Sequence, residues 1–454
     1  MRDYVLTAII FAIIPVCFLR PWLGIIAWYW FGLMNPHRHT WDFAYTMPFG
    51  MMIGVATLAG MLFAQDKRPL PWNRELILIC VLLVYFTITT FFAWMPNFAW
   101  VQWQKVFKVI LMTVVATMFI YGRDRIRLLM LTIVFSIGFY GVKGFAFVLR
   151  SGGQSMIQGP DNTFMDGNTF IGLAFNMVLP LMIFMAREET KPWLKRTLYI
   201  MAACTVISTI FTYSRGAYVG LAIIIPLIFL RSKQKVVATC ILVPALLLAP
   251  FVLPDKVGQR ADLIENYEQD RSANQRLQSW NVAWNLAMDY PLTGGGFEFE
   301  YDSAARWFSY ANQKYMWAIG NSSAAHSIYF QVLGQHGFVA AFLYILLLFG
   351  TVRSLGRSKK QALRNPDTAW IATYAIGMQV AMVGYLVSGA FLSSAYFDLA
   401  WLFFALSVIL AREVRGSVKD SFPTRSGLGV APAGQMALGR RPVSTQARVR
   451  HNTL

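Results

Sequence analysis

Apolar runs of about 17–25 residues recur along this chain, the length that a helix needs to cross a bilayer. Lipid offers a backbone no water to bond, so segments this apolar must close their hydrogen bonds within helices. A barrel would alternate polar and apolar residues instead. Composition agrees: 56% of the 454 residues are hydrophobic and 14% charged. The expected fold class is an all-α polytopic membrane protein with about twelve transmembrane helices. Spans fall near 4–34, 47–64, 74–94, 103–121, 126–149, 168–186, 195–213, 215–231, 235–252, 326–352, 369–391 and 395–412.

The connections sort by charge. "DKRPLPWNR", "GRDRIR", "REETKPWLKR", "RSKQK" and "RSLGRSKKQALRNP" are basic, and "WMPNFAW", "GGQSMIQGPDNTFMDGN" and "LSSA" carry no basic residue. The two sets alternate, so the basic set is expected in the cytoplasm and the other set outside. Four regions follow: an N-terminal bundle over 1–252, a large outer loop over 253–325 containing short amphipathic helices, C-terminal spans over 326–412, and a disordered basic cytoplasmic tail over 413–454. This bias and the tail account for most of the net charge of +18, so no nucleic acid is needed as a partner. Two counts stay open. Thirteen spans result if Arg20-Pro21 is a cytoplasmic turn, and twelve if 4–34 crosses once as a bent unit. The N-terminal segment has no small-x-small cleavage site before Arg20 and reads as a retained span. Cys17, Cys80, Cys204 and Cys240 stand alone in apolar runs, without metal or redox spacing, and read as small core residues.

Cations on the outer side run against the bias. Lys105 and Lys108 sit three apart at the outer end of a span, Lys143 lies about two turns inside another, and Arg215 opens a third. Each can snorkel to outer headgroups. Four at one depth with no matching membrane carboxylates point instead to a shared anion site. Arg215 adds a planar fork to a helix start, where free N–H groups favour anions. His326, in "AAHSIYFQVLGQHG", stands where a polar segment meets a long apolar span, with Asn321, Ser322 and Ser323 before it as capping candidates. An interfacial anchor, a buried hydrogen-bond partner and a catalytic base are all open for it.

In the outer loop, "NQRLQSWNVAWNLAMDYPL" reads as an amphipathic helix with Arg276, Trp280 and Trp284 on one face. That face either lies on the membrane or covers a cavity, arginine on a phosphate and tryptophan on a sugar ring. Gly294, Gly295 and Gly296 allow a tight turn or an anion-binding nest. "FEFEYD" puts Glu298, Glu300 and Asp302 on one side if extended, which reads as a solvated strand edge in preference to a metal site. There is no Walker motif, HExxH or nucleophile elbow.

Taken in order, "RPWLGIIAWYWFGLMNPHRHTWDFAY", "GFYGVKGFAF", "YSRGA", "RLQSWNVAWNLAMDYPLTGGGF" and "AHSIYFQVLGQHGF" resemble the O-glycosylation ligases associated with exosortase A systems, within the bacterial O-antigen ligase and polymerase superfamily. The resemblance runs from the N-terminus to about residue 410. It implies a multi-pass inner-membrane glycosyltransferase with its site facing the periplasm and no metal or other cofactor. The implied partners are an undecaprenyl-pyrophosphate-linked glycan donor, an acceptor protein, lipid or glycan with a free hydroxyl, and membrane lipid. By matching motif, Arg215, Arg276 and His326 fall on the catalytic positions. Lys105, Lys108 and Lys143 are candidates for the pyrophosphate, and Asp166, Asn168 and Trp280 for sugar or acceptor. For Asp166 and Asn168 an ordinary helix cap stands equally open. "NPHRHTW" (His37, Arg38, His39) also matches and is expected as an outer turn. Many superfamily members carry an acidic residue nine positions after the histidine, where this chain has Gln335. His336 reads as structural.

The competing readings are a polymerase of the same superfamily, which differs in acceptor, and a transporter of an anionic substrate. No internal repeat supports the transporter. A scaffold without catalysis would leave the outer cations and His326 unexplained.

Overall fold

The computed structural model describes residues 1–231 and 270–421. The expected span 235–252, Cys240, part of the outer loop and the tail beyond 421 lie outside the described residues. Fourteen α-helices occur in them: α1 (Arg2–Leu19), α2 (Pro21–Met34), α3 (Phe49–Phe63), α4 (Arg74–Phe91), α5 (Pro96–Phe119), α6 (Gly122–Ser151), α7 (Gly167–Glu188), α8 (Pro192–Ile210), α9 (Arg215–Leu230), α10 (Arg271–Asp289), α11 (Ala304–Phe308), α12 (Ile328–Ala362), α13 (Ala369–Gly389) and α14 (Asp398–Ser421). Six segments are long and apolar enough to cross a membrane: α1, α4, α6, α7, α12 and Pro366–Gly389. Among the described residues there is no strand, only a single bridge between Gly159 and Gly167.

Local chemistry sets the helix ends. Pro21, Pro96 and Pro192 occupy first-turn positions, where a missing N–H costs nothing. Asn73 caps α4 by accepting from the Leu76 amide at 2.9 Å. Residues 4–34 form a pair of helices and not one bent unit. The Asp3 carboxylate at the start of α1 accepts from the Asp42 amide beyond α2, and the end of α1 packs against the end of α3 at Gly60. α14 continues to Ser421, past the expected boundary at 412.

α7 is buried on nearly all sides from Ile171 to Ala186 and forms the centre of the bundle. Asn176, within it, donates to the Ala217 carbonyl of α9 and to Ser388 of α13. α6 and α8 approach closely because Gly138, Gly141 and Gly144 leave room for Met201, Thr205 and Ser208.

The two sets of connections separate to opposite ends of the bundle. At one end Arg125 pairs with Asp66, Arg68 with Glu413, Arg123 with Glu188 and Arg127 with Glu189. At the other, Arg38 reaches the Asn162 carbonyl, Asn168 the Thr212 carbonyl and the His326 amide Ser393. Among the described residues these ion pairs and the His326 contact thus fall in different sets of connections.

α12 is broken at Gly337, which has φ 75° and ψ −174°. The break frees two carbonyls, and the glycine turn answers them: Gly295 N–H donates to Gly334 O and Gly296 N–H to Gln335 O, both at 2.9 Å. Phe338 N–H in turn donates to Pro291 O. These glycine amides are therefore consumed by the helix and form no anion nest. A Cβ at Gly294 would meet Gly334 O at 2.5 Å.

Candidate functional site

Arg215 is placed by a tight turn. Tyr213 adopts φ 53° and its hydroxyl donates to Gly153 O. Ser214 then caps α9 by accepting from the Ala217 amide. Asn168, for which a sugar or acceptor contact and an ordinary helix cap stand equally open, donates to Thr212 O and steadies this turn. The Arg215 guanidinium pairs with Asp270. Asp270 is also the cap of α10, accepting from the Ser272 amide at 3.0 Å. Burial alone would raise its pKa, but the Arg215 hydrogen bond and charge and the local amides hold it below the ordinary carboxylate value.

α10 is the expected amphipathic helix, and it packs on α12. Trp280 stacks on Phe330 with rings 5.1 Å apart and donates to Ala325 O at 2.8 Å; Trp284 meets Phe338 edge-on. One face of Trp280 is thereby taken by Phe330, so it positions the segment before His326 and has that much less surface for a sugar. Gln275 also reaches Ser323. The next residue along this face, Arg276, is half-buried. Burial first, then the charge of Arg215, lowers its basicity, with Asp270 opposing.

His326 sits at φ 46°, its amide donating to Ser393 Oγ at 2.8 Å. Burial, then the charge of Arg276, holds its imidazole below the ordinary value of 6.5, so it is neutral at pH 7. Among the described residues no group hydrogen-bonds its ring. His336, by contrast, is fully buried between Thr89 (2.6 Å) and Tyr396 (2.9 Å), as a structural residue should be.

A cavity of about 900 Å³ lies beside this cluster, lined by Ser322–Ala324, Ser393, Lys105, Gln331, Glu298 and Glu300 among others. The sequence reading missed its acidic wall. "FEFEYD" is no strand: Glu298 takes φ 59°, a 3-10 turn covers Phe299–Tyr301, and Glu300 is 7% exposed. Asp398 joins them. The signal that could have revealed the wall is the neighbouring glycine turn, which folds this segment under α12.

The expected cations divide. Lys105 lines the large cavity and Lys108 is exposed one turn further along α5. Lys143 lines a second cavity of about 420 Å³ with Arg38, His39, Tyr45 and Asp161. The segment 157–171 contributes walls to both cavities, so a single anion site holding all the cations is not what forms. Asp166 closes that segment by accepting from the Asn162 amide and makes no side-chain cap on α7; neither it nor Asn168 lines either cavity. Among the described residues no group of acidic, histidine and cysteine side chains has a metal-holding arrangement.

This geometry stands within a recognisable class. Residues 200–345, which carry Arg215, Arg276 and His326, match the family described as O-Antigen ligase. Residues 1–190 match a family of unknown function (DUF5935). A comparison with curated proteins found no match. The first match makes residues 200–345 similar to O-antigen ligases and supports a reading as a glycan-transferring membrane protein, a family that implies a lipid-linked glycan donor and an acceptor.

Proposed function

We propose that the chain moves a glycan from a polyprenyl-pyrophosphate donor to an acceptor hydroxyl on the periplasmic face of the inner membrane, the undecaprenyl carrier and protein O-glycosylation being the specific forms favoured by the sequence resemblance. The observation that carries this reading is the convergence of Arg215, Arg276 and His326 from α9, α10 and the start of α12, beside the large cavity.

In the proposed step the acceptor oxygen attacks the anomeric carbon as that carbon's bond to the pyrophosphate oxygen breaks. The leaving pyrophosphate takes the electron pair and is stabilised by Arg215 and Arg276, which supply the charge that a metal supplies in other transferases. The hydroxyl proton passes to the neutral imidazole of His326. One displacement inverts the carbon. A positioned base is worth roughly 10²–10⁴-fold, about 3–5 kcal/mol.

The lipid tail has a suitable path. An apolar groove runs along α2 and α6, lined by Leu23, Ala27, Met34, Leu131, Phe135 and Phe139. One turn beyond Phe139 on the same helix face is Lys143, and beyond Met34 come Arg38 and His39. We assign this second cavity to the donor phosphate during entry, and Lys105 to the cavity beside the reacting bond.

The test is transfer from a synthetic polyprenyl-pyrophosphate glycan in reconstituted membranes with chelator present, scored against protein, lipid and glycan acceptors. Wild type is expected to transfer, while His326→Ala and Arg215→Ala insert normally and fail. A donor left intact with every acceptor class removes the proposal, and transfer onto further glycan repeats alone makes the protein a polymerase.

A further inference from the structure

The chemistry assigned to His326 and the two arginines leaves the acidic wall of the large cavity unused. Glu298, Glu300 and Asp398 face Lys105 as the cavity's lysine. Glu300 and Asp398 are 7% and 6% exposed. One side of the Glu300 carboxyl is held by Gln335, while its buried Oε2 meets no hydrogen-bond partner among the described residues. Burying a polar oxygen unpaired is costly, and a small turn of the Glu300 side chain, which lines the cavity, would let a ligand hydroxyl, amide or amino group satisfy it. Trp28 and Phe397 supply apolar faces on which a sugar ring can rest.

We infer that this cavity receives the sugar residue bordering the new bond, and that its carboxyl wall selects rings bearing hydroxyl, amide or amino groups over rings bearing a carboxylate or phosphate. This rests on the glycan-transfer reading. A ring carboxylate would meet Glu298 in a water-poor space, where like charges repel strongly, and the buried carboxyls of Glu300 and Asp398 leave it no cation beyond Lys105, which already faces Glu298. Burial, then the charge of Glu298, pushes Glu300 up to about 8, so at neutral pH it adds no charge to the wall and the repulsion rests on Glu298.

The full chain in nanodiscs would be given two donors that differ at one ring carbon, a hydroxymethyl group against a carboxylate, and in a second arm two acceptors with the same difference. In at least one arm wild type is expected to favour the uncharged sugar by about tenfold or more in kcat/KM, with Glu298→Gln cutting that preference to about threefold or less. Equal use of both sugars in both arms, or a preference unchanged in Glu298→Gln and in Glu300→Gln, overturns the inference. If no donor is transferred, the glycan-transfer reading has failed, and the cavity is judged by binding. Free neutral and uronate oligosaccharides would be titrated while Trp28 fluorescence is followed, with Trp28→Phe as the control. A Trp28 response to the neutral sugar alone supports the selection. An equal response to the uronate, or none to either, ends it.

Discussion

Two clusters of arginine, lysine and histidine lie at the same end of the bundle, and they differ in what their histidines are doing. In the second cavity, His39 Nε2 meets the Tyr140 hydroxyl at 3.2 Å, and that hydroxyl already donates to Met34 O. Its neighbour His37 stacks on Phe31 at 4.8 Å, and burial, then Arg38, pushes it down to about 4. Arg38 is spent on Asn162 O and the Tyr45 ring. In the first cluster the His326 ring carries no such bond among the described residues, and Arg215 holds the Asp270 carboxylate, whose place an anion takes on the proposed reading. On the proposed reading, similar residue types make a holding site in one place and a reactive one in the other, and the partners decide which.

The largest effect should break this comparison cleanly. His326→Ala is expected to lower transfer by roughly 10²–10⁴-fold. His39→Ala, which removes a tethered ring, should cost less than about tenfold. Comparable losses in single-turnover assays would mean that the two histidines are not distinguished by their bonding.

Asp270 tests the first cluster from its other side. Asp270→Asn keeps an amide oxygen to cap α10 but removes the partner of Arg215. The apo protein should lose about 1–3 kcal/mol at pH 7, since a mostly buried guanidinium is left unpaired. Because the folded-state pKa of Asp270 is depressed, that contribution exists above its ordinary value of 3.8 and fades as pH falls through the folded value. Inorganic pyrophosphate should restore more thermal stability to the variant than it gives wild type. An equal gain in both would show that the anion does not take the place of Asp270.

Lys143 tests the second cluster, with a smaller effect. Lys143→Ala should raise the donor KM by about three- to tenfold and leave kcat within about twofold, because it contributes to entry and not to the leaving charge. A fall in kcat as deep as that of Arg215→Ala would merge the two cavities into one site.

The parts legible in the sequence were those fixed by local patterns. Apolar run length gave the helices, and loop charge gave the two ends. The cap-like positions of Arg215 and His326, with the motif resemblance, drew attention to residues that do converge. What stayed hidden depends on contacts between distant segments. Depth along a span placed Lys105 and Lys143 at one level but could not say that they line different cavities. The period of two in "FEFEYD" suggested an exposed strand, yet the segment turns inward because the preceding glycines are bound to carbonyls freed by Gly337. Glu300 beside Gln335 also brings a carboxyl to the position where this sequence lacks one, from a loop that no spacing rule would pair with α12.

The smallest effect is a shift in a pH profile, and it distinguishes a base from a cap. If His326 takes the proton, kcat/KM should fall on the acid side with a limb below 6.5, the ordinary histidine value, because burial and then Arg276 hold the ring neutral. Arg276→Gln removes the second of these causes and leaves the first. The limb should therefore move to higher pH, though not beyond the ordinary value, while Arg276→Lys should leave it near the wild-type position. The position of the limb, and not the height of the curve, carries the information. A limb that stays in place when the charge is removed would separate Arg276 from His326 energetically. A limb absent altogether in wild type would return His326 to the role of a structural residue held by Ser393.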